Sequence, residues 1–323
     1  MSEYGEHFIK EIEIKNYKLF KDFKAEGFGR VNLIGGKNNV GKTAFMEACY
    51  INSGSFDLKQ LIAYMQSVKF MRENINLLLG STRENTKEFI ELLNHLDIQS
   101  NINNTSFQIK EEDGIKEYIL KFNNQKIDVN VNDFSYDFAW KESNEFIDSF
   151  GLSYGEIITA YSYIQKQDKE DYLNTILQKF DSRIESFKII DEKPQCKIDG
   201  IYRELTEFGD GVRHIVSIVT YLYKSENGHL YIDEIDNGIH YTMHDELWKI
   251  VLEVSKDLNV QVFATTHSKE CIESYARVAK RLEDKETTYT HLKRIEDNSI
   301  KAGVYDSDTL INAIEQDHEV RGW

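Results

Sequence analysis

The amino-acid sequence predicts an α/β fold organised around a phosphate-binding loop, and three observations predict it. Residues Gly36 to Thr43 read G-K-N-N-V-G-K-T, a complete G-x-x-x-x-G-K-[ST] pattern. The apolar run Val31-Asn32-Leu33-Ile34 precedes it and the helical stretch Ala44 to Tyr50 follows, the strand, glycine loop and helix order that this chemistry needs. Beyond residue 185 strands and helices succeed one another, and two of those strands end in polar clusters suited to a ligand crevice at the carboxyl edge of a parallel sheet. In such a loop, backbone N–H groups wrap a β-phosphate at a helix N-terminus, where unpaired donors and the helix dipole favour anions. Gly36, Asn38, Asn39, Gly41, Lys42, Thr43 and Ala44 form the expected cradle. Lys42 would reach the β- and γ-phosphates, and the Thr43 hydroxyl would hold Mg²⁺. A nucleoside triphosphate is the expected ligand.

The elements follow from patterning, taken in order. Phe8 to Lys15 alternates apolar and polar residues, as a half-buried strand does, and a second short strand follows Asn16 to Asp22. Gly27 and Gly29 then precede the strand that feeds the loop. From about Ser55 to Leu96 the pattern is helical, with Leu58, Leu61, Ile62, Met65, Val68 and Met71 on one face. Between Thr105 and Val131 it becomes a meander: Ser106–Lys110 and Glu117–Phe122 flank Asp113-Gly114, a pair that tolerates the positive φ of a hairpin turn, and a third run covers Lys126 to Val131. Helical segments resume at about Tyr136 and from Lys169 to Glu185. Strands are expected at Ser186–Ile190, Gln195–Ile198, Leu230–Ile232 and Val260–Ala264, and helices at Val212–Tyr223 and Thr242–Leu258. No internal repeat or long heptad run is present. The core is therefore read as split between 1–54 and 185–323, with 55–184 as a helical and β-meander insertion in the same globular unit.

Composition narrows the class. At 323 residues, with 41% hydrophobic and 29% charged residues, the chain suits a soluble globular protein of one large or two smaller domains. A single proline, Pro194, and no glycine/serine-rich tether argue against linked separate domains. No apolar run approaches a membrane span, and the N-terminus does not read as a signal peptide. The three cysteines, Cys49, Cys196 and Cys271, are widely spaced, which suits reduced thiols in a cytosol. Thirty-nine basic against 55 acidic side chains give a net charge of −16, a poor match to a protein whose main grip is on phosphate backbones. A local basic groove remains compatible with that total, because net charge is silent about distribution.

Three further segments carry chemistry. His229-Leu230-Tyr231-Ile232-Asp233-Glu234 is an apolar strand ending in two carboxylates: Asp233 is expected in the Mg²⁺ shell and Glu234 as general base for the attacking water. An ordinary acidic turn is the plain alternative. Val260 to Ser268 is a strand ending in Thr-Thr-His-Ser, where His267 at a carboxyl edge can hydrogen-bond a γ-phosphate. Thr206 to Arg213 opens a helix with Gly209, Asp210 and Gly211 at its tip, a second anion site on N–H donors. On spacing alone, a plain glycine turn with an Asp cap is the favoured account of that segment.

Phosphate loop, glycine-led helix start, Asp-Glu strand and Thr-Thr-His-Ser strand, in this order, resemble the ABC-type ATPase heads of RecF, SMC and the overcoming-lysogenisation-defect (OLD) family. Asn16-Tyr17-Lys18-Leu19-Phe20 is similar to the opening strand of those heads. Residues 232–240, Ile-Asp-Glu-Ile-Asp-Asn-Gly-Ile-His, and 319–323, Glu-Val-Arg-Gly-Trp, resemble the small prokaryotic AAA ATPases of that class linked to anti-phage defence. The likeness covers about 1–54 and 185–323 and is weak between. It implies an ABC-ATPase-like P-loop head with an antiparallel β lobe and a mostly helical insertion. It further implies ATP and Mg²⁺ as cofactors, ATP hydrolysis by a homodimer or higher oligomer closed across its ATP sites, a cytoplasmic location, and a separately encoded nuclease-like, TOPRIM-like effector. Under the same resemblance, Gly209, Asp210 and Gly211 touch the other protomer's γ-phosphate, Asp236 to Gly238 cross the seam and His267 is the switch histidine. Gly209 stands where a signature serine is usual and Val212 where Gln or Lys is usual, which leaves the contact to backbone N–H groups. Gln165 is a candidate Q-loop residue, and Tyr17, Lys18 and Phe20 could line the nucleoside or belong to the core. His240 suits a seam or a local cap, and Phe134–Trp140 packing or a docking patch.

Other activities stay open on the sequence. A GTPase is the rival enzyme, although no Asn-Lys-x-Asp motif follows a strand. A DNA-binding repair clamp of the RecF or SMC kind, and a scaffold that restrains a toxic effector, are the alternatives from other classes.

Overall fold

The computed structural model describes residues 4–73, 96–112, 115–122, 125–128, 143–149, 151–296 and 298–316. The chain opens with a hairpin, β1 (Glu11–Tyr17) and β2 (Phe20–Glu26); Ile12 and Ile14 of β1 are buried in alternation, and the pattern breaks at Asn16 before the buried Tyr17. Next come β3 (Val31–Gly36), α1 (Lys42–Gly54) and α2 (Leu58–Glu73). Four strands follow: β4 (Asp97–Ser100), β5 (Asn104–Glu112), β6 (Ile115–Phe122) and β7 (Gln125–Asp128). They extend the opening hairpin into one antiparallel sheet of order β2-β1-β4-β5-β6-β7. β5 and β6 close on the pair Glu112 and Ile115, around Asp113-Gly114, which lie outside the described residues. So do the end of the third meander run, the segment from Tyr136 with Phe134–Trp140, residues 74–95, and the terminal Glu319–Trp323.

The middle segment then supplies β8 (Asn144–Ile147), α3 (Tyr154–Lys166) and α4 (Glu170–Phe180). A capping box starts α3: the Ser153 hydroxyl accepts from the Glu156 amide, and the Glu156 carboxylate accepts from the Ser153 amide. A small antiparallel sheet comes next, β9 (Ser186–Ile190), β10 (Lys193–Ile198) and β11 (Ile201–Glu204). The rest of the chain runs α5 (Asp210–Lys224), β12 (His229–Ile232), α6 (His244–Asp257), β13 (Gln261–Thr265) and α7 (Lys269–Arg281). It closes with β14 (Thr287–Arg294), β15 (Ile300–Asp306) and α8 (Ser307–Glu315).

The second large sheet has order β15-β14-β3-β13-β12-β8, parallel from β14 to β8, with β15 antiparallel at its edge. Both of its faces are covered, which is why its central strands are buried at every position. Alternate residues feed two cores. Leu230, Ile232, Val262 and Ala264 face the helical core with Trp248 and Tyr275, whereas Tyr231 and Phe263 face α1 and the antiparallel lobe with Phe23, Phe28 and Phe45. The segment expected as an insertion therefore gives strands to both large sheets, and α3 packs on α5.

One buried ion pair anchors the amino end of β3. Arg30 is fully buried, pairs with Asp284 and with Ser255 Oγ, and donates to Leu252 O at 3.0 Å. It ties the start of β3 to α6 and to the turn before β14. Cys49, Cys196 and Cys271 are free and buried. Among the described residues no helix is long and apolar enough to cross a membrane.

Candidate active site

The parallel strands all end on one edge of the sheet, and the loops that leave them form the site. β3 ends at Gly36, whose φ is +141° and where a Cβ would lie 2.5 Å from Leu292 O. The loop turns again at Asn39 (φ 58°) and Gly41 (φ 104°). No side chain caps α1 at Gly41, so its first-turn N–H groups are left to an anion. Asn38 and Asn39 are exposed on the loop, and Ala44 is buried in the first turn of α1.

Lys42 is folded back over this loop. Its Nζ donates to Gly36 O at 3.0 Å and Lys37 O at 3.1 Å, and lies 3.1 Å from His267 Nδ1. Burial lowers its pKa to about 8, against the pull of Asp233 and Glu234. His267 is also held below its ordinary value, by burial and then by Lys42. The neutral imidazole accepts from Lys42 at Nδ1 and so carries its proton on Nε2, which faces Glu234 Oε1 at 3.9 Å.

A pH dependence follows. Below the lowered pKa the ammonium is already present, so affinity for a triphosphate should be flat up to about pH 8. Above it, each pH unit should weaken binding by up to about tenfold, with proton uptake on binding. Calorimetric titrations from pH 7 to 9.5 would show this, and a flat profile would contradict it. Stability has the opposite sign. The folded chain holds fewer protons on Lys42 than the unfolded chain between the lowered pKa of about 8 and the ordinary 10.5, so stability of the free protein gains with pH in that window.

Beside the lysine, Thr43 Oγ1 lies 3.0 and 3.2 Å from the two Asp233 oxygens, and Thr265 Oγ1 donates to Asp233 at 2.6 Å. A hydroxyl and a carboxylate side by side are hard oxygen donors that fit Mg²⁺, which takes one or two protein ligands and completes its shell with phosphates and water. Glu234 has a φ of 52°, a conformation uncommon outside glycine. Thr265 holds it there: its hydroxyl accepts from the Glu234 amide at 2.9 Å, and its carbonyl accepts from Ile235 at 3.0 Å. The turn continues with Asp236, which accepts from Thr266 Oγ1 at 2.7 Å, and Asn237, whose amide donates to Ser149 O at 2.8 Å.

The Gly209–Gly211 segment is built differently from a plain Asp cap. Gly209 is the cap residue, Asp210 is the first residue of α5 and both are exposed. At Gly211 a Cβ would meet Gly238 O at 2.5 Å, so the helix tip lies backbone to backbone against 236–238. Among the described residues, no hydrogen bond joins this tip to Lys42, Thr43 or Asp233.

The structure thus gathers Gly36, Gly41, Lys42, Thr43, Asp233, Glu234 and His267 in one cluster and leaves Gly209, Asp210 and Gly211 beside it. Tyr17 and Phe20 are core residues, Lys18 pairs with Glu47, and Gln165 sits on the exposed side of α3. His240 bonds Thr242 locally at 2.9 Å. Sequence reasoning missed Thr265 as a support, although its place in Thr-Thr-His-Ser was a usable signal. It also missed the loop after β8. There a cavity of about 260 Å³ lies between Ser149, Gly151, Asp210, Arg213, His214 and Asn237. Arg213 donates to Leu152 O at 2.9 Å, and His214 Nε2 lies 3.1 Å from Ile235 O. Burial lowers His214 to about 4, so the neutral ring donates through Nε2 and holds α5 to the turn after β12.

A family model described as AAA ATPase domain matches residues 52–272, more than half of the chain. The chain belongs to the AAA ATPase domain family. This AAA ATPase is 25% identical over 372 residues to an "ATP/GTP phosphatase" of Helicobacter pylori, covering 97% of this chain and 100% of that one. A 40-residue stretch, 12% of this chain and 18% of the other, is 42% identical to an uncharacterized protein of Methanocaldococcus jannaschii. Among solved structures, an SMC head bound to the C-terminal winged-helix domain of ScpA matches with a TM-score of 0.55 at 11% identity, covering 93% of this chain and 98% of that one. The SMC head with an extended coiled coil bound to the C-terminal domain of ScpA, derived from Pyrococcus furiosus, matches at 0.51 and 10% identity over 96% and 99%. At these identities the AAA ATPase shares the SMC-head fold. The expected head architecture is therefore present, and the chain is an ATPase.

Proposed function

We propose that this ATPase works as a dimeric switch, in which two copies close on two molecules of MgATP and hydrolysis reopens the seam. The observation that carries this reading is the tip of α5, where Gly209 and Asp210 are exposed, no side chain caps the helix, and no hydrogen bond among the described residues reaches the chain's own phosphate loop. Such a tip suits the γ-phosphate held by a second copy. Within each copy, the loop N–H groups and Lys42 would hold the β- and γ-phosphates. Mg²⁺ between Thr43 and Asp233 would offset the charge that develops on the phosphates. Glu234 would take the proton of water as its oxygen attacks the γ-phosphorus and the bond to the β–γ bridging oxygen breaks, leaving ADP and phosphate. Neutral His267 would donate from Nε2 to the γ-phosphate or the attacking water.

The output of this switch is assigned to a second chain, a nuclease-like effector of TOPRIM type, in prokaryotic anti-phage defence. Two observations support a separate protein partner: the acidic net charge disfavours a direct grip on DNA, and the matching SMC heads are bound to the separate protein ScpA. Cysteine cross-linking tests the seam. Asp210→Cys and Asn38→Cys, mixed as separate variants, should form an intermolecular disulfide with a non-hydrolysable ATP analogue and not with ADP, since a disulfide needs Cα atoms within about 7 Å. The native thiols are buried and do not compete. No cross-link, or equal cross-linking in ADP, would refute the closed pair.

A further inference from the structure

The tip of α5 carries a charge that contact with a phosphate does not call for. Asp210 is the first residue of the helix and is exposed, so in the closed pair its carboxylate would stand beside a γ-phosphate, itself an anion. Two negative groups that close repel, and at a helix N-terminus they compete for the same N–H donors. A carboxylate in that place requires a cation. We propose that Lys37 of the second copy supplies it, so that an ion pair from Asp210 to Lys37 crosses each of the two seams. The proposal rests on the closed pair and names a contact inside it.

Within its own chain the Asp210 carboxylate is uncommitted. It does not take over the capping that Gly209 lacks a side chain to provide, and among the described residues it forms no ion pair or hydrogen bond. The charges around it are engaged elsewhere. Arg213, three residues along, turns its Nη2 to Leu152 O at 2.9 Å. Glu207 accepts from the Glu204 amide at 3.3 Å and lies 3.9 Å from Arg203, and Asp236 accepts from Thr266 Oγ1.

Lys37 is placed to answer that carboxylate. It follows Gly36 in the phosphate loop, and its carbonyl accepts from Lys42 Nζ at 3.1 Å. The same Nζ lies 3.1 Å from His267 Nδ1, which marks the γ end of the loop. The other copy's tip must approach that end. There the Lys37 backbone is held, while its side chain is exposed and forms no ion pair among the described residues. A flexible four-carbon stem lets its ammonium reach past the loop. The neighbouring cations are occupied: Lys42 bonds the loop carbonyls, and Arg294 Nη2 donates to Asn39 O at 3.1 Å.

Charge on the whole molecule makes such a contact useful. Each copy carries a net charge of −16, so two copies repel at long range. Opposite charges matched at the seam offset this locally and fix the register of tip against loop. Two-fold symmetry makes the contact occur twice.

Charge reversal on the full chain tests the pair, with sedimentation velocity in Mg²⁺ and a non-hydrolysable ATP analogue. Asp210→Lys and Lys37→Asp each set like charges against one another at both seams, and each should weaken pairing about tenfold or more. In a mixture of the two variants, one seam joins the two substituted positions and the other joins the two native residues. Both seams are then opposite in sign, and pairing should return to within about threefold of wild type. A chain carrying both substitutions restores both seams in a homodimer, and carries the test if a single variant does not fold. A purely local role for Asp210, such as complementing the α5 dipole, gives no recovery on mixing. Folded single variants that pair like wild type, or that stay apart when mixed, would overturn the ion pair, as would a doubly substituted chain that does not pair. Wild-type protein that stays monomeric with the analogue would instead overturn the closed pair beneath it.

Discussion

Glu234→Gln is expected to slow hydrolysis by about 10²–10⁴-fold while nucleotide affinity stays near wild type. The geometry explains why this substitution should be selective. The Glu234 turn is held by backbone bonds to Thr265, so exchanging the carboxylate for an amide leaves the turn in place. Glutamine still offers a hydrogen bond to water but cannot take its proton. No neighbour replaces it: Asp233 already accepts from the Thr43 and Thr265 hydroxyls, and His267 Nδ1 is engaged by Lys42. With turnover stalled, the variant should accumulate as an ATP-bound pair. Single-turnover phosphate release, with light scattering on the same samples, measures both effects. Hydrolysis within tenfold of wild type would remove Glu234 from the role of base.

The second large effect concerns stability. Asp284→Ala should cost about 3–5 kcal/mol, because it strands the Arg30 guanidinium inside the protein without its main carboxylate. Arg30 is fully buried, whereas its other acidic neighbour, Glu286, is 45% exposed and 3.6 Å from Nε. Removing both charges is a different matter. Arg30→Met with Asp284→Ala should recover much of the loss, since an apolar chain in that space carries no desolvation penalty. Urea unfolding of the wild type, the single variant and the double variant closes the cycle. A single variant within about 1 kcal/mol of wild type would show that the pair is not a keystone of the fold. Because Arg30 sits at the amino end of β3 and the phosphate loop at its carboxyl end, ATP affinity of the folded variant should hardly move.

Those two predictions draw on residues of very different legibility. Lys42, Thr43, Asp233, Glu234 and His267 were readable because each closes an apolar strand or loop with its own local pattern. The alternation of Phe8 to Lys15, which covers the first five residues of β1, was equally plain. By contrast, β8 spans only Asn144–Ile147, too short to show a period, and it becomes a strand because β12 offers it an edge. Everything that depends on β8 was hidden with it, including the carbonyls of Ser149 and Leu152 that accept from Asn237 and Arg213. β14 was missed for another reason. Thr287-Thr288-Tyr289-Thr290 carries little apolar signal, and these threonines are buried because β3, β15 and α8 pack on the strand and Tyr275 of α7 donates to Thr288 O. Arg30 gave no hint at all, since a lone arginine before a strand reads as surface. The Ser153–Glu156 capping box, finally, went unread, although S-x-x-E is a usable helix-start signal.

The contact between Gly211 and Gly238 has a mechanical meaning. Backbone meets backbone there, with Asp210 Cβ as the nearest side-chain atom to Gly238, so little compressible side chain separates the two turns. Gly238 lies four residues beyond Glu234, and Gly211 is the second residue of α5, next to the exposed Gly209 and Asp210. A displacement born at the carboxylate would reach the outer surface like motion through meshed teeth, with little soft spacer to damp it.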